Sequence, residues 1–155
     1  MKVKNNWFDM LADALCLALL AGVTVWIWQI WADIPPQVPT HYNALGEADG
    51  WGSKNMVIVF LVISWLMYVI ISATEFFPQA WNTGVQVTEA NRDRVYRTLK
   101  YMMKTTKLLT VALFVFLLMS TAQTWDSLGE WFLSVFLLVL FGQMVFWIIR
   151  LNKVK

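Results

Sequence analysis

Charged residues, cysteine and histidine are all scarce in this sequence. Only 14% of the residues are charged, against the roughly 25% that is usual for soluble globular domains. The single cysteine cannot form an internal disulfide bridge, so a disulfide-stabilised secreted scaffold is excluded. The formal net charge of only +2 argues against a nucleic-acid-binding protein of the usual basic kind, and we expect no direct nucleic-acid partner.

Four windows lack Asp, Glu, Lys and Arg entirely, and each is long enough to cross a bilayer. Each contains 18 to 20 residues, and the windows are 14–32, 55–74, 108–125 and 131–149. At about 1.5 Å of rise per residue, a helix of this length matches the ~30 Å hydrocarbon core of a membrane. The windows are nearly continuous apolar runs without the alternation of membrane β-strands, which predicts helices and not a barrel.

The sequence therefore predicts an all-α integral membrane protein, with residues 1–155 forming a single four-span membrane domain. The four transmembrane helices are expected to form an antiparallel bundle. Their approximate spans are 11–32, 55–75, 105–125 and 130–150. Between them we expect a compact outer loop rich in proline and glycine at 33–54, and a basic amphipathic inner segment at 76–104.

The distribution of Lys and Arg predicts that the N-terminus and the C-terminus are both cytoplasmic. Eleven of the 12 basic residues lie in the two terminal segments or in the connection between the second and third helices. Lys2 and Lys4 supply the positive charge of the N-terminal segment, and Lys54 is the one basic residue of the other two connections. Because cytoplasmic loops carry an excess of Lys and Arg, the loop 33–54 is expected to face outward.

The outer loop contains the only histidine of the chain, His41, together with two nearby carboxylates. Prolines and glycines stop the preceding helix and favour tight turns, so we expect an ordered cap with residues 40–43 as one arm of a small hairpin. His41, Glu47 and Asp49 are candidate ligands for a divalent metal. Their spacing matches no metal signature, and we favour the alternative that His41 and Asp49 hold the loop together by hydrogen bonds to backbone groups.

The inner segment contains six basic residues at the start of a long predicted helix. Thr88 is a candidate N-cap, and an uninterrupted helical pattern continues from about residue 89 to residue 124. The six basic residues are candidates for contact with anionic lipid headgroups or with a cytoplasmic partner. They are Arg92, Arg94, Arg97, Lys100, Lys104 and Lys107. The alternative is that these basic residues only reflect the cytoplasmic location of the segment, since cytoplasmic loops are rich in Lys and Arg. We expect this alternative to explain most of the positive charge.

The four windows also lack the residues that most membrane chemistry requires. They contain no Asp, Glu, Lys, Arg or His of the kind that transporters and intramembrane enzymes use at depth. No phosphate-binding loop, nucleophile elbow or zinc-binding helix is present either, so we expect neither an enzyme nor a cofactor. Thr24, Ser64 and Gln143 suit hydrogen bonding between helices. Their alternative role is a polar path in a small transporter or channel subunit.

The outer loop resembles the signature of a bacterial membrane family, domain of unknown function 1648. The signature is Pro-x-x-(Ile/Val)-Pro-x-His-(aromatic)-Asn-x-x-Gly-x-x-Asp, and the resemblance covers roughly residues 10–75. The matching residues are Pro36, Pro39, His41, Asn43, Gly46, Asp49 and Lys54. This domain forms the N-terminal part of the SdpI-type immunity proteins. Those proteins have further spans with an Arg-Thr-Pro-Trp-Thr stretch, which this sequence lacks.

The resemblance implies a multi-pass protein of the bacterial cytoplasmic (inner) membrane. The namesake immunity proteins protect a cell from a secreted, membrane-active toxic peptide, and they can hold a transcriptional repressor at the membrane. For this chain the resemblance implies a peptide toxin as a partner at the outer loop and a cytoplasmic regulator as a partner at the basic inner segment.

We therefore expect a non-enzymatic membrane protein of the SdpI-like type, which acts in toxin-peptide immunity or envelope signalling by binding. The lipid bilayer is its solvent, and a homo-oligomer is an open alternative to a monomer. The other functions left open are a small transporter or channel subunit, an assembly partner of a larger membrane complex, and a metal-dependent enzyme on the outer face.

Overall fold

The computed structural model describes residues 3–155, which form four long helices and one β-hairpin. In chain order the elements are α1 (Trp7–Ile30), β1 (Gln37–Tyr42), β2 (Ala48–Ser53), α2 (Asn55–Thr74), a 3-10 turn (Pro78–Ala80), α3 (Arg92–Ala122) and α4 (Phe132–Lys153). Each of the four helices is long and apolar enough to cross a membrane. The predicted fold class is thus confirmed. Lys2, which contributed to the predicted orientation, lies outside the described residues.

Helix α3 is the centre of the fold and packs against each of the other three helices. Lys107 of α3 contacts Asp13 of α1 and Glu75, which directly follows α2, at 2.6 Å each. Trp147 near the end of α4 donates to Thr105 of α3 at 2.9 Å. Consecutive helices therefore run in opposite directions. Both ends of the described chain lie at one end of the bundle, here called the terminal end, and the hairpin lies at the opposite end, here called the hairpin end.

The start of α3 differs from the sequence prediction. Thr88 was predicted as the N-cap, but the N-cap is Asn91 and the helix begins at Arg92. The Asn91 side chain accepts a hydrogen bond from the backbone N–H of Thr88 at 2.8 Å and donates to the carbonyl oxygen of Gln86 at 3.0 Å. Because Asn91 holds the preceding residues in a turn, they do not join the helix.

Thr24 and Gln143 form hydrogen bonds between helices, whereas Ser64 forms one within its own helix. Trp65 of α2 donates to the hydroxyl of Thr24 on α1 at 3.1 Å. Gln143 of α4 donates to Thr106 of α3 at 2.9 Å, and Ser64 donates to a carbonyl oxygen of its own helix at 2.7 Å. The three sets of hydrogen bonds are separate from one another. Such interhelical hydrogen bonds are usual between membrane helices.

Candidate functional site

The predicted outer loop forms an antiparallel hairpin of β1 and β2. Gln37 pairs with Ser53 and Pro39 pairs with Trp51, while the register shifts on both sides of His41. Pro39 is fully buried, which places the base of the hairpin in the protein interior. Residues 40–42 of the predicted arm form the second half of β1, which begins earlier, at Gln37, and Asn43 follows the strand.

His41 and Asp49 face each other across the hairpin. Nδ1 of His41 lies 2.5 Å from Oδ1 of Asp49, so the two side chains pair directly and not through backbone groups. Gly50 lies opposite His41, and a Cβ atom at Gly50 would lie only 2.9 Å from the Cβ of His41. The glycine thus permits the close approach of the two strands at the His41–Asp49 pair.

The three predicted metal candidates do not converge. Glu47 is held by Asn43, whose Nδ2 donates to Glu47 Oε2 at 3.0 Å, whereas His41 is engaged with Asp49. Within residues 3–155, no group of three or more His, Cys, Asp and Glu side chains is arranged to hold a metal ion. The geometry therefore supports a structural role for His41 and Asp49.

Asn43 shapes the turn of the hairpin. Its Oδ1 accepts hydrogen bonds from the backbone N–H groups of Leu45 at 2.9 Å and Glu47 at 3.0 Å. Gly46 follows with φ +79°, a left-handed conformation that glycine adopts without strain. Asn and Gly at these positions are thus explained by turn chemistry, since the short Asn side chain replaces backbone partners.

The turn is docked on the connection between α3 and α4. The N–H of Ala48 donates to the carbonyl oxygen of Asp126 at 2.9 Å, and the N–H of Leu128 donates to that of Gly46 at 2.8 Å. The Tyr42 hydroxyl donates to the carbonyl oxygen of Trp125 at 3.1 Å. Burial raises the pKa of the Tyr42 phenol above its ordinary value.

Lys54 connects the base of the hairpin to α1. Its backbone N–H donates to the carbonyl oxygen of Pro36 at 3.0 Å. Its ammonium group lies 4.9 Å from the ring centroid of Trp31 and 3.4 Å from the carbonyl oxygen of that residue. The one basic residue of the hairpin end thus holds the chain where α1 ends and α2 begins.

The docked hairpin forms the roof of an apolar groove of about 520 Å³. Helix α3 forms the floor with Leu113, Leu117 and their neighbours, and α2 and α4 contribute the side walls. The wall residues are Phe60, Phe132, Leu133 and Phe136. The few polar groups of the lining come mainly from the roof, where His41 and Asn43 lie. An apolar segment with a polar group at the roof would match this lining.

At the terminal end, four of the six predicted contact residues form ion pairs with carboxylates of α1 or with Glu75 after α2. Lys104 and Lys107 each contact both Asp13 and Glu75, with all four N–O distances at 2.6 Å. Arg97 contacts Asp9 at 2.7 Å, and Lys100 lies 3.8 Å from the same Asp9 oxygen. We refer to these residues as the ion-pair cluster, with the members Asp9, Asp13, Glu75, Arg97, Lys100, Lys104 and Lys107.

The burial of this cluster shows where the basic residues of the predicted lipid or partner contacts lie. The side chains of Lys100, Lys104 and Lys107 are only 4%, 1% and 1% exposed. They therefore do not form a basic outer surface, and Lys100 and Lys107 are accessible only through an adjoining cavity. The physical reason is charge pairing, because carboxylates of α1 and of the end of α2 attract the basic face of α3. Of the six, Arg92 and Arg94 remain exposed.

Asp9, Asp13 and Glu75 were not predicted as partners of these lysines. Asp9 and Asp13 are four residues apart and therefore share one face of α1. Three of the basic residues, Lys100, Lys104 and Lys107, likewise repeat at helical spacing on α3. Complementary charges on two helices at the same end of the bundle are the sequence signal that could have predicted these ion pairs.

Residues 17–71 match a family model whose description is Domain of unknown function (DUF1648). The match begins in α1, includes the whole hairpin and ends in α2, so all the motif residues of the predicted resemblance lie within it. Among curated proteins and solved structures, none matches this chain.

Proposed function

We propose that this chain, which carries a DUF1648 domain at residues 17–71, is a non-enzymatic multi-pass membrane protein that binds a membrane-active peptide in the groove beneath its hairpin. By holding the apolar face of the peptide, the protein would keep that face away from the bilayer. The biological result would be immunity to a peptide toxin, or an envelope signal that reports its presence.

The groove is the observation that carries this proposal. Its floor and walls are leucine and phenylalanine side chains, and its polar groups lie mainly at the roof. Membrane-active peptides present one apolar face and one polar face, and amphipathic helices commonly dock with the apolar face in a groove of this kind. The matched family domain supplies the roof, since Thr40, His41 and Asn43 line the groove.

The proposed location is the bacterial cytoplasmic (inner) membrane, with the hairpin end outside and the terminal end in the cytoplasm. The excess of Lys and Arg at the terminal end supports this orientation. It leaves Arg92 and Arg94 exposed to the cytoplasm, where they would be available to a regulator in the signalling version of the proposal.

The orientation can be tested with two matched cysteine variants. Gln37 in the hairpin and Gln86 before α3 are both exposed, whereas the single native cysteine, Cys16, is fully buried. We expect a membrane-impermeant maleimide to label Gln37→Cys in intact cells, to label Gln86→Cys only after lysis, and to leave the wild-type chain unlabelled. Labelling of both variants in intact cells would contradict the proposed orientation.

The binding function can be tested by filling the groove. Leu117 is half-buried in the groove floor, and we expect Leu117→Trp to occupy the space that the peptide would use. Cells that produce the wild-type chain should tolerate higher concentrations of at least one secreted peptide toxin. The variant should lose about tenfold of this tolerance, corresponding to ~1.4 kcal/mol of binding free energy.

Leu138→Trp is the matched control for this experiment. Leu138 lies on α4, is 73% exposed and does not line the groove. It should leave the tolerance unchanged, because a tryptophan there faces the surroundings of the bundle. The immunity function would be contradicted if cells with and without the chain were killed equally by a broad panel of membrane-active peptides.

A further inference from the structure

A second cavity, of about 430 Å³, lies beside the ion-pair cluster at the terminal end. It is lined by Val3, Lys4 and Asn5, by Asp13 of α1, by residues at and just after the end of α2 that include Glu75, and by Lys100 and Lys107 of α3. The groove beneath the hairpin lies at the opposite end of the helices. The two cavities share no lining residue, so the inference below does not rest on the proposed function.

Part of the ion-pair cluster is balanced in charge. Lys104 and Lys107 contribute two positive charges, and Asp13 and Glu75 contribute two negative charges. Each of the four carboxylate oxygens accepts from one lysine at 2.6 Å. Lys107 also donates to the hydroxyl of Ser72 at 3.0 Å, which uses its third proton. These four charged groups therefore need no further ion.

The rest of the cluster has one positive charge too many. Asp9 pairs with Arg97 at 2.7 Å, and the same Asp9 oxygen is 3.8 Å from Lys100, beyond hydrogen-bond distance. Lys100 donates instead to two neutral oxygens, the Val3 carbonyl at 2.9 Å and Asn5 Oδ1 at 2.5 Å. Its side chain is only 4% exposed. Asp9 is already hydrogen-bonded to Arg97, so it compensates the buried Lys100 ammonium group only in part, and an anion in the adjoining cavity would be stabilising.

We propose that this cavity binds a phosphate-class oxyanion, with Lys100 as the buried anchor and Lys4 as a second cation at the exposed side. Lys100 uses two of its three ammonium protons on neutral oxygens, which leaves one for a phosphate oxygen. Lys4 is exposed and also lines the cavity, so its ammonium group can approach the same anion.

The position of the cavity agrees with a phosphate at the membrane interface. Lys100 precedes the uncharged window 108–125 by eight residues, or about 12 Å of helix. This places it beyond the hydrocarbon core, close to the polar headgroup layer. Tyr68, Phe76 and Pro78 add apolar surface to the cavity wall. An anionic phospholipid and free inorganic phosphate both present a phosphate oxyanion that this cavity would recognise. The experiment distinguishes these two sources.

The test measures the melting temperature of the purified full chain in neutral detergent. Phosphatidylglycerol, inorganic phosphate and phosphatidylcholine are added separately. A ligand that binds only the folded state raises the melting temperature as its concentration exceeds Kd. We expect a rise with a phosphate ligand for the wild-type chain, no rise for Lys100→Met, and about tenfold weaker apparent binding for Lys4→Gln, because one cation contact is lost.

Arg92→Gln is the control, because Arg92 is an exposed cation of the same end and does not line the cavity. It should respond like the wild-type chain. A rise with phosphatidylglycerol alone assigns a lipid headgroup, and a rise with inorganic phosphate at similar concentration assigns the free anion. If Lys100→Met does not fold, the melting-temperature response of Lys4→Gln tests the site. Three results would contradict the proposed site. They are an equal rise in melting temperature with phosphatidylcholine, no rise with any ligand, and an unchanged rise in the lysine variants that fold.

Discussion

Replacing Lys107 with methionine is expected to lower the free energy of unfolding by about 3–5 kcal/mol, the cost of breaking a buried ion pair from one side. The Lys107 side chain is 1% exposed and contacts Asp13, Glu75 and Ser72. Methionine keeps most of the aliphatic volume but removes the ammonium group. Each carboxylate then has Lys104 as its one remaining cation at 2.6 Å. The measurement is unfolding of the purified chain by SDS in mixed micelles.

Lys153→Met is the control for this prediction. Lys153 is exposed in the last turn of α4, at the same end of the bundle, and should change the unfolding free energy by no more than about 0.5 kcal/mol. The double variant Lys107→Met with Glu75→Gln removes charge of both signs, and its cost should be about 1–3 kcal/mol less than the sum of the two single variants. If Lys107→Met changes the unfolding free energy by no more than the control does, the cluster contributes little to stability.

The cluster and the hairpin hold the same two helices at opposite ends. At the terminal end, Asp13 of α1 and Glu75 after α2 are joined through lysines of α3. At the hairpin end, Lys54 reaches back to Trp31, just after α1, and the hairpin docks on the connection that follows α3. Helices α1 and α2 are therefore joined at both ends, and α2 contributes Phe60 to the wall of the groove. If the groove binds a peptide as proposed, this preformed wall would reduce the entropy lost on binding.

The four helices and the hairpin region could be predicted from the sequence because each has a local signal. An uncharged window of 18 to 20 residues forms a helix about as long as a bilayer is thick. In the hairpin region, the prolines together with Asn43 and Gly46 indicate a turn. The groove has no such signal. It forms where residues of β1 meet side chains of α3 and α4 that are some 70 to 95 positions later in the chain. Hydropathy alone does not give that pairing of surfaces.

The basic residues of α3 show a second limit of sequence reasoning. Counting Lys and Arg predicts orientation, but it does not show which charges are paired in the folded protein. Lys104 was predicted as an exposed contact and is in fact buried, because α1 and α3 run in the same direction with Asp13 level with it. The relative depth of two helices depends on their packing, which hydrophobic periodicity does not determine.

The second prediction with a large expected effect concerns the docking of the hairpin. Gly46→Ala should lower the unfolding free energy by about 2 kcal/mol or more, because two costs add. Gly46 has φ +79°, where a Cβ atom costs about 1–2 kcal/mol. A Cβ atom there would also lie 2.7 Å from the carbonyl oxygen of Gly129, in the connection that the hairpin contacts. Part of the backbone must therefore move away.

Gly84→Ala separates these two costs. Gly84 also has a positive φ, +64°, but a Cβ atom there would meet nothing within 4 Å, so only the backbone strain should appear. We expect faster amide hydrogen exchange at Leu128, whose N–H donates to Gly46, in Gly46→Ala but not in Gly84→Ala. Since the hairpin is the roof of the groove, Gly46→Ala should also reduce peptide tolerance. Equal exchange at Leu128 in both variants would mean that the contact between Gly46 and Gly129 does not hold the roof in place.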